Sequence, residues 1–229
     1  MVKAKGPKIL FMMETKRKKS YLEHLQCRLG YDNLFIVPRR NLSGGLALLW
    51  MNEIDLHIWT FSPHHIDAVV NPRIDDAWRF TGFYGVPEVA NREDSWTLLH
   101  HLSSQLVLPW VCIGDFNEIT RVGEKSGGLV RPENQMRSFR ECLDFCALKD
   151  LGSSGLPYTW SNRRFDGPMV WVRLAMHWLP LNGFRNFQQP NCITYQVFPL
   201  IINLFGYVLM MLIVVWDNYR LPTCGLTRI

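Results

Sequence analysis

The sequence predicts a layered α/β domain in which helices cover the outer faces of stacked sheets. Three observations predict it. Short apolar runs of strand length recur between residues 9 and 174, separated by turn-forming and charged residues. Stretches with apolar groups at helical spacing interrupt that series. Two of the apolar runs, Ile9–Met13 and Trp110–Gly114, stop at an acidic residue, Glu14 and Asp115.

Taken in order, residues 9–13 read as a buried strand. Residues 18–29 alternate charged and apolar groups at helical spacing and end at Gly30, which predicts a helix. Strand-like runs follow at 33–37, 44–50, 54–61, 64–70 and 78–84. Residues 91–104 predict a second helix with Asn91 as its cap. A strand at 109–114, a glycine-bearing loop at 121–131 and a helix at 133–147 come next, then late strands at 157–161 and 169–174. No internal repeat or low-complexity segment stands out.

The 229 residues suit one large domain, or one domain with a tail. At 48% apolar residues, with nine Trp and thirteen Phe, the chain has material for a sizeable core, so disorder is not expected. A net charge of +5 and a pI near 8.9 are compatible with a polyanionic partner without being diagnostic of one. The cysteines stand at 27, 112, 142, 146, 192 and 224, with no CxxC pair and no histidine at matching spacing. Neither a zinc site nor a disulfide framework is therefore expected, and Cys142 and Cys146 read as small core side chains of a helix. Only five apolar residues separate the basic start from Glu14, too few for a secretory signal. From Val197 to Trp216 there is no charged residue, a length that meets the threshold of about 20 residues for a membrane span. Three readings of this tail compete. It is an anchor interrupted by Pro199, Asn203 and Gly206, a buried strand–turn–helix, or sequence foreign to the domain.

The chemistry starts from the two carboxylates. An uncompensated charge at the mouth of a buried strand costs several kcal/mol, so something positive is expected to meet it. A hard cation such as Mg2+ binds through one or two carboxylates plus substrate phosphate, and this suggests phosphate-ester chemistry. Each residue alone also has a simpler reading. Glu14 would cap the helix that follows. Asp115 and Asn117 would build a turn. Tyr84 would be a core aromatic with its hydroxyl at the surface. The pairs His64-His65 and His100-His101 read as an exposed strand end and a solvated helix face. His65 and Asp67 share one strand face without an evident role. Lys16-Arg17-Lys18-Lys19 reads as a solvated helix start, or as a binder of backbone phosphate.

Met13-Glu14-Thr15-Lys16, Thr81-Gly82-Phe83-Tyr84-Gly85, Gly114-Asp115-Phe116-Asn117-Glu118, Tyr158-Thr159-Trp160-Ser161-Asn162 and Arg173-Leu174 occur in this order. The set resembles the endonuclease/exonuclease/phosphatase superfamily, the relatives of exonuclease III and DNase I. Ser43-Gly44-Gly45-Leu46-Ala47-Leu48-Leu49-Trp50, His65-Ile66-Asp67 and Glu124-Lys125-Ser126-Gly127-Gly128 are most similar to the endonuclease domain of plant non-LTR retrotransposons. The resemblance covers about residues 9–174. It implies a four-layer α/β sandwich of DNase I-like type and a Mg2+-dependent (or Mn2+-dependent) phosphodiesterase that nicks DNA. Such an enzyme grips the DNA backbone with little sequence specificity, works as a monomer and needs no small-molecule cofactor. By the same resemblance Glu14 holds the metal and Asp115 orients or deprotonates the attacking water. Asn117 donates a hydrogen bond to the phosphate or the water, and Tyr84 steadies the developing charge.

The pattern also breaks. The family begins with a strand ending in an asparagine upstream of the Glu14 strand. By the resemblance that strand and ligand are missing here, so an edge of the sheet is expected to be exposed. The family's Arg-Leu-Asp appears as Arg173-Leu174-Ala175, and its terminal Ser-Asp-His phrase is absent from residues 176–229. The fold is thus expected to be incomplete, with a domain over 9–175, a divergent tail over 176–229, and impaired catalysis. These breaks favour foreign sequence over an anchor for the tail. Nucleus or cytoplasm is the expected location, with a membrane only if 197–216 spans one. A non-catalytic remnant that binds nucleic acid is the rival reading.

Overall fold

A computed structural model of the chain describes residues 7–38, 44–73, 77–150, 158–162, 169–180, 194–196 and 210–215. The strands are β1 (Ile9–Met13), β2 (Asn33–Val37), β3 (Leu46–Trp50), β4 (Leu56–Ser62), β5 (His65–Val70), β6 (Trp78–Tyr84) and β7 (Trp110–Asp115). They continue as β8 (Lys125–Ser126), β9 (Leu148–Asp150), β10 (Trp160–Ser161), β11 (Trp171–Val172), β12 (Ala175–Pro180), β13 (Thr194–Gln196) and β14 (Met210–Val215). The helices are α1 (Lys19–Leu29), α2 (Glu93–Gln105) and α3 (Glu133–Phe145).

Two larger sheets have the strand orders β13-β14-β1-β3-β2 and β4-β5-β6-β7-β12-β9, and a small one has the order β10-β11-β8. All five residues of β1 are buried because both of its faces are covered. Ile9, Phe11 and Met13 meet Ile66, Ala68, Phe80, Val111 and Ile113 of the six-stranded sheet. Leu10 and Met12 turn the other way, onto Leu22 and Leu25 of α1. The second sheet alternates in the same manner. Trp110, Cys112 and Phe83 face Trp96, Leu99 and Leu102 of α2 and Phe139 and Cys142 of α3. The order of layers is therefore α1, sheet, sheet, then α2 with α3. Each fully buried large apolar side chain in these layers contributes about 1.5–3 kcal/mol.

Most expected elements form within one or two residues of their predicted ends, and four expectations need correction. Asn91 does not cap α2. It closes a short 3-10 turn, Val89–Asn91, and the turn runs through Arg92, in right-handed helical conformation, straight into the helix. Such a junction offers no extended residue whose side chain could cap, and Glu93 and Asp94 complement the helix dipole instead. His65 is not at an exposed strand end. It is 5% exposed, because the β4–β5 hairpin turns it inward between Thr60 and Ser62. The late strands are short, only Trp160–Ser161 and Trp171–Val172, and residue 157 lies outside the described residues.

The fourth correction concerns the expected exposed edge. β1 is an interior strand, paired antiparallel with β3 on one side and with β14 on the other, from Ile9↔Val214 to Met13↔Met210. The Met210–Val215 run has the β-branched, apolar character that a covered ladder needs. Six residues of the uncharged 197–216 segment thus form a strand, whereas 197–209 and 216 lie outside the described residues. Among the described residues no helix is long and apolar enough to cross a membrane.

Candidate active site at the ends of three strands

β1, β6 and β7 deliver Glu14, Tyr84 and Asp115 to one place. β6 and β7 run parallel, joined through α2, and their register sets Tyr84 beside Asp115. That register depends on Gly114. A Cβ there would lie 1.7 Å from the Phe83 carbonyl oxygen, so only glycine lets the two strands close. Across the facing sheet β1 ends at Met13, and Glu14 leaves it with a positive φ of 51°. Backbone N–H groups of Thr15 and Lys16 donate to the carbonyls of Gly45 and Gly44, which fixes this turn against the start of β3. The Tyr84 hydroxyl then donates to Glu14 Oε1 at 2.6 Å, linking residues from the two sheets.

The electrostatics follow from this convergence. Burial above all, with the Glu14 charge adding to it against the pull of the Asn117 N–H and Arg92, pushes the Asp115 carboxyl up to about 7. Burial first, and then the Glu14 carboxylate, drive the Tyr84 hydroxyl far above its usual range, so it remains a donor. Lys16 Nζ stands 3.5 Å from Glu14 Oε2, and at that exposure the pair contributes at most about 1 kcal/mol. Glu14 and Asp115 bring carboxyl oxygens to one corner, and this oxygen donor set fits a hard divalent ion. Glu14 would hold it, with the Asp115 side close by.

Asn117 is built into the same corner. Its backbone N–H donates to Asp115 Oδ1 at 2.7 Å, its φ is 55°, and its Nδ2 donates to the Gly85 carbonyl at 2.7 Å. Gly85 N–H donates in turn to the Asp115 carbonyl at 2.7 Å. The loop after β7 is therefore tied to the loop after β6, and the four expected site residues stand together. On the other side, β12 pairs Ala175 directly with Asp115. The position where the family pattern has a carboxylate is the cross-strand neighbour of Asp115.

Several contributors have no local sequence signal. Arg92 donates from Nη1 to the fully buried Glu118 at 2.6 Å and to the Pro87 carbonyl from Nη2, which holds the loop after β6 against the Phe116–Glu118 turn. His64 Nδ1 lies 3.0 Å from the Tyr84 carbonyl, and its ring is parallel to that of Tyr84. Arg173 makes two bonds to Asp150 and one to Glu124. Arg-Leu therefore acts here as a clamp on the loop between β7 and α3. His65 and Asp67 do share a face, and Asp67 is fully buried with Arg79 and Thr81. Arg79 reaches on to the Leu102 carbonyl, so this network fastens α2 to the sheet.

The architecture of two facing sheets between helix layers is shared with solved structures of nucleases. A 3' phosphatase from Neisseria, NExo, bound to a product DNA hairpin superposes with a TM-score of 0.64 over 95% of this chain and 91% of its own, at 14% identity. An AP endonuclease from Archaeoglobus fulgidus gives 0.64 over 93% and 90%, at 15% identity. This chain has the DNase I-like fold. The endonuclease domain of TRAS1, a telomere-specific non-LTR retrotransposon, shares it with a TM-score of 0.59 over 92% and 99%, at 8% identity. No family model and no curated protein matches the sequence. Within the DNase I-like fold the expected four-layer sandwich is correct, and β14 covers the side of β1 where an open edge was expected.

Proposed function

We propose that this chain is a divalent-metal-dependent phosphodiesterase of retroelement-endonuclease type, acting on DNA with an incomplete acid–base apparatus. The observation that carries the reading is the Tyr84–Glu14 hydrogen bond beside a buried Asp115 whose carboxyl is pushed up to about 7. Three strands from two sheets meet there for no evident structural gain, since a buried carboxylate such as Asp115 costs stability. The nuclease and phosphatase neighbours support the reaction class, and the DNA hairpin on one of them supports the substrate class.

Mg2+ or Mn2+ held by Glu14 would supply neutralisation of the phosphoryl oxygen charge. The protein's own groups do the rest. Asp115, titrating near neutral pH, accepts the proton of a water as that water bonds to phosphorus and the ester P–O bond breaks, and the leaving oxygen takes its proton from solvent to depart as a hydroxyl. The Asn117 N–H holds Oδ1 of Asp115, which leaves the second oxygen for the proton. The Tyr84 hydroxyl is a permanent donor that can turn from Glu14 to a phosphate oxygen as charge develops. The Asn117 amide keeps one N–H for the phosphate or the water while the other holds Gly85.

The weak point is the partner of Asp115. Ala175 offers no carboxylate across the β7–β12 pair, and no Ser-Asp-His phrase follows. A missing acid–base group costs about a hundredfold to ten-thousandfold in rate. The protein is expected to relax supercoiled plasmid slowly, only with Mg2+ or Mn2+, and not at all as Asp115→Asn. A second reading, a non-catalytic binder of nucleic acid, is favoured by Ala175. It predicts salt-sensitive binding and a nicking rate that Asp115→Asn leaves unchanged.

A further inference from the structure

On the outer face of the six-stranded sheet, one layer away from Glu14, α2 and α3 bring together a histidine and two cysteines. Cys142 and Cys146 are one helical turn apart at the end of α3, joined by the Cys146 N–H to Cys142 carbonyl bond at 3.0 Å. His100 comes from the facing side of α2. One donor atom from each of the three residues lies within 4.8 Å of the other two. Both thiols are buried, at 2% and 6% exposure.

One feature of this cluster asks for an explanation beyond core packing. His100 Nε2 is wholly buried and has no hydrogen-bond partner, although the Phe145 ring covers the imidazole at 4.3 Å. A buried unsatisfied nitrogen costs about 1–3 kcal/mol. The Cys142 thiol donates to the Trp96 carbonyl of α2 at 3.8 Å, so this sulfur already sits against the helix that carries His100. A buried imidazole nitrogen beside two buried thiols is a nitrogen–sulfur donor set. Such a set excludes Mg2+ and Ca2+, which take oxygen, and suits a borderline ion of the zinc class.

We propose that His100, Cys142 and Cys146 form a Zn2+-class site that clamps α2 to α3. Tetrahedral zinc with nitrogen at about 2.0 Å and sulfur at about 2.3 Å needs donor atoms less than about 4 Å apart. Small rotations of three side chains bring them there from within 4.8 Å. Binding releases the thiol protons to solvent, and the two thiolates balance the charge of the ion. His100 is only partly buried, so water completes the fourth position from the open side. The cysteine spacing alone did not point to this site, because the third donor lies on another helix, 42 residues before Cys142.

The test is a Co2+ titration of the reduced, metal-stripped full chain in excess Mg2+, which occupies the carboxylate site. One equivalent of Co2+ is expected to give a thiolate-to-cobalt charge-transfer band with intense tetrahedral visible bands, and Zn2+ is expected to abolish both. The band is lost in Cys142→Ser/Cys146→Ser and kept in Cys27→Ser. Should the double variant fail to fold, His100→Gln at a partly exposed position decides, with an expected loss in Co2+ affinity of about tenfold or more. A chain that shows no thiolate band, a band that survives the double substitution, or an unchanged affinity in His100→Gln overturns the proposal.

Discussion

At the scale of single residues, Asp115 carries an electrostatic strain that can be read without any substrate. Its carboxyl is raised from 3.8 to about 7, first by burial, so the folded state holds its proton over a range where the unfolded chain has released it. Stability from this group is complete below about pH 4 and falls as pH rises to about 7, by an amount of a few kcal/mol. Asparagine cannot ionise. Asp115→Asn is therefore expected to match the parent in Tm at pH 4 and exceed it by several degrees at pH 8 without divalent metal, as measured by calorimetry. A difference that does not change with pH would contradict the assignment. His65 has the opposite sign. Burial, and then Arg79, hold its imidazole down to about 4, so its stabilising effect is lost as pH falls from 6.5 toward 4. These two residues show what local sequence can convey. The Gly-Asp-Phe-Asn phrase marks Asp115 as special, but no phrase marks His65 as buried, because its cover comes from Thr60, Ser62 and the charge of Arg79.

At the scale of elements, the parallel β6–β7 pair makes the site, and it tolerates no side chain at two points. Gly114 faces the Phe83 carbonyl, and a Cβ on Gly82 would sit 2.4 Å from the Phe11 ring of the opposite sheet. Gly114→Ala is expected to force the strands apart, lower stability by about 1–3 kcal/mol in urea unfolding, and remove the Asp115–Tyr84 register along with any nicking. Helix α2 depends on different bonds. Arg79 ties its Leu102 carbonyl to Asp67 through a fully buried ion pair. Breaking such a pair by removing one partner costs about 3–5 kcal/mol, so Asp67→Ala should be among the most damaging single changes away from the site. Its check is the urea midpoint, with the m-value unchanged. The strands and helices themselves were legible from periodicity, usually to within a residue or two. The 3-10 turn at Asn91 has no local signal, because it arises from how the loop after β6 meets Arg92 and Glu118, a contact across 26 residues.

At the scale of the whole molecule, the proposed action on DNA by a mildly basic chain predicts binding governed by phosphate charge. Affinity for a DNA duplex is expected to fall steeply and log-linearly with salt and to vary little with sequence, in a fluorescence anisotropy titration. Chelation should abolish nicking while leaving binding in place. The sequence by itself determined the layered α/β class and that Glu14 and Asp115 stand at the ends of buried strands, because strand periodicity is local and a carboxylate after an apolar run is costly wherever it lies. It could not determine which strands are neighbours. That β14 flanks β1, that Ala175 faces Asp115, and that His100 meets Cys142 and Cys146 are outcomes of pairing between segments far apart in the chain. Such pairings are selected by the burial of whole faces, a property that no single stretch of sequence contains.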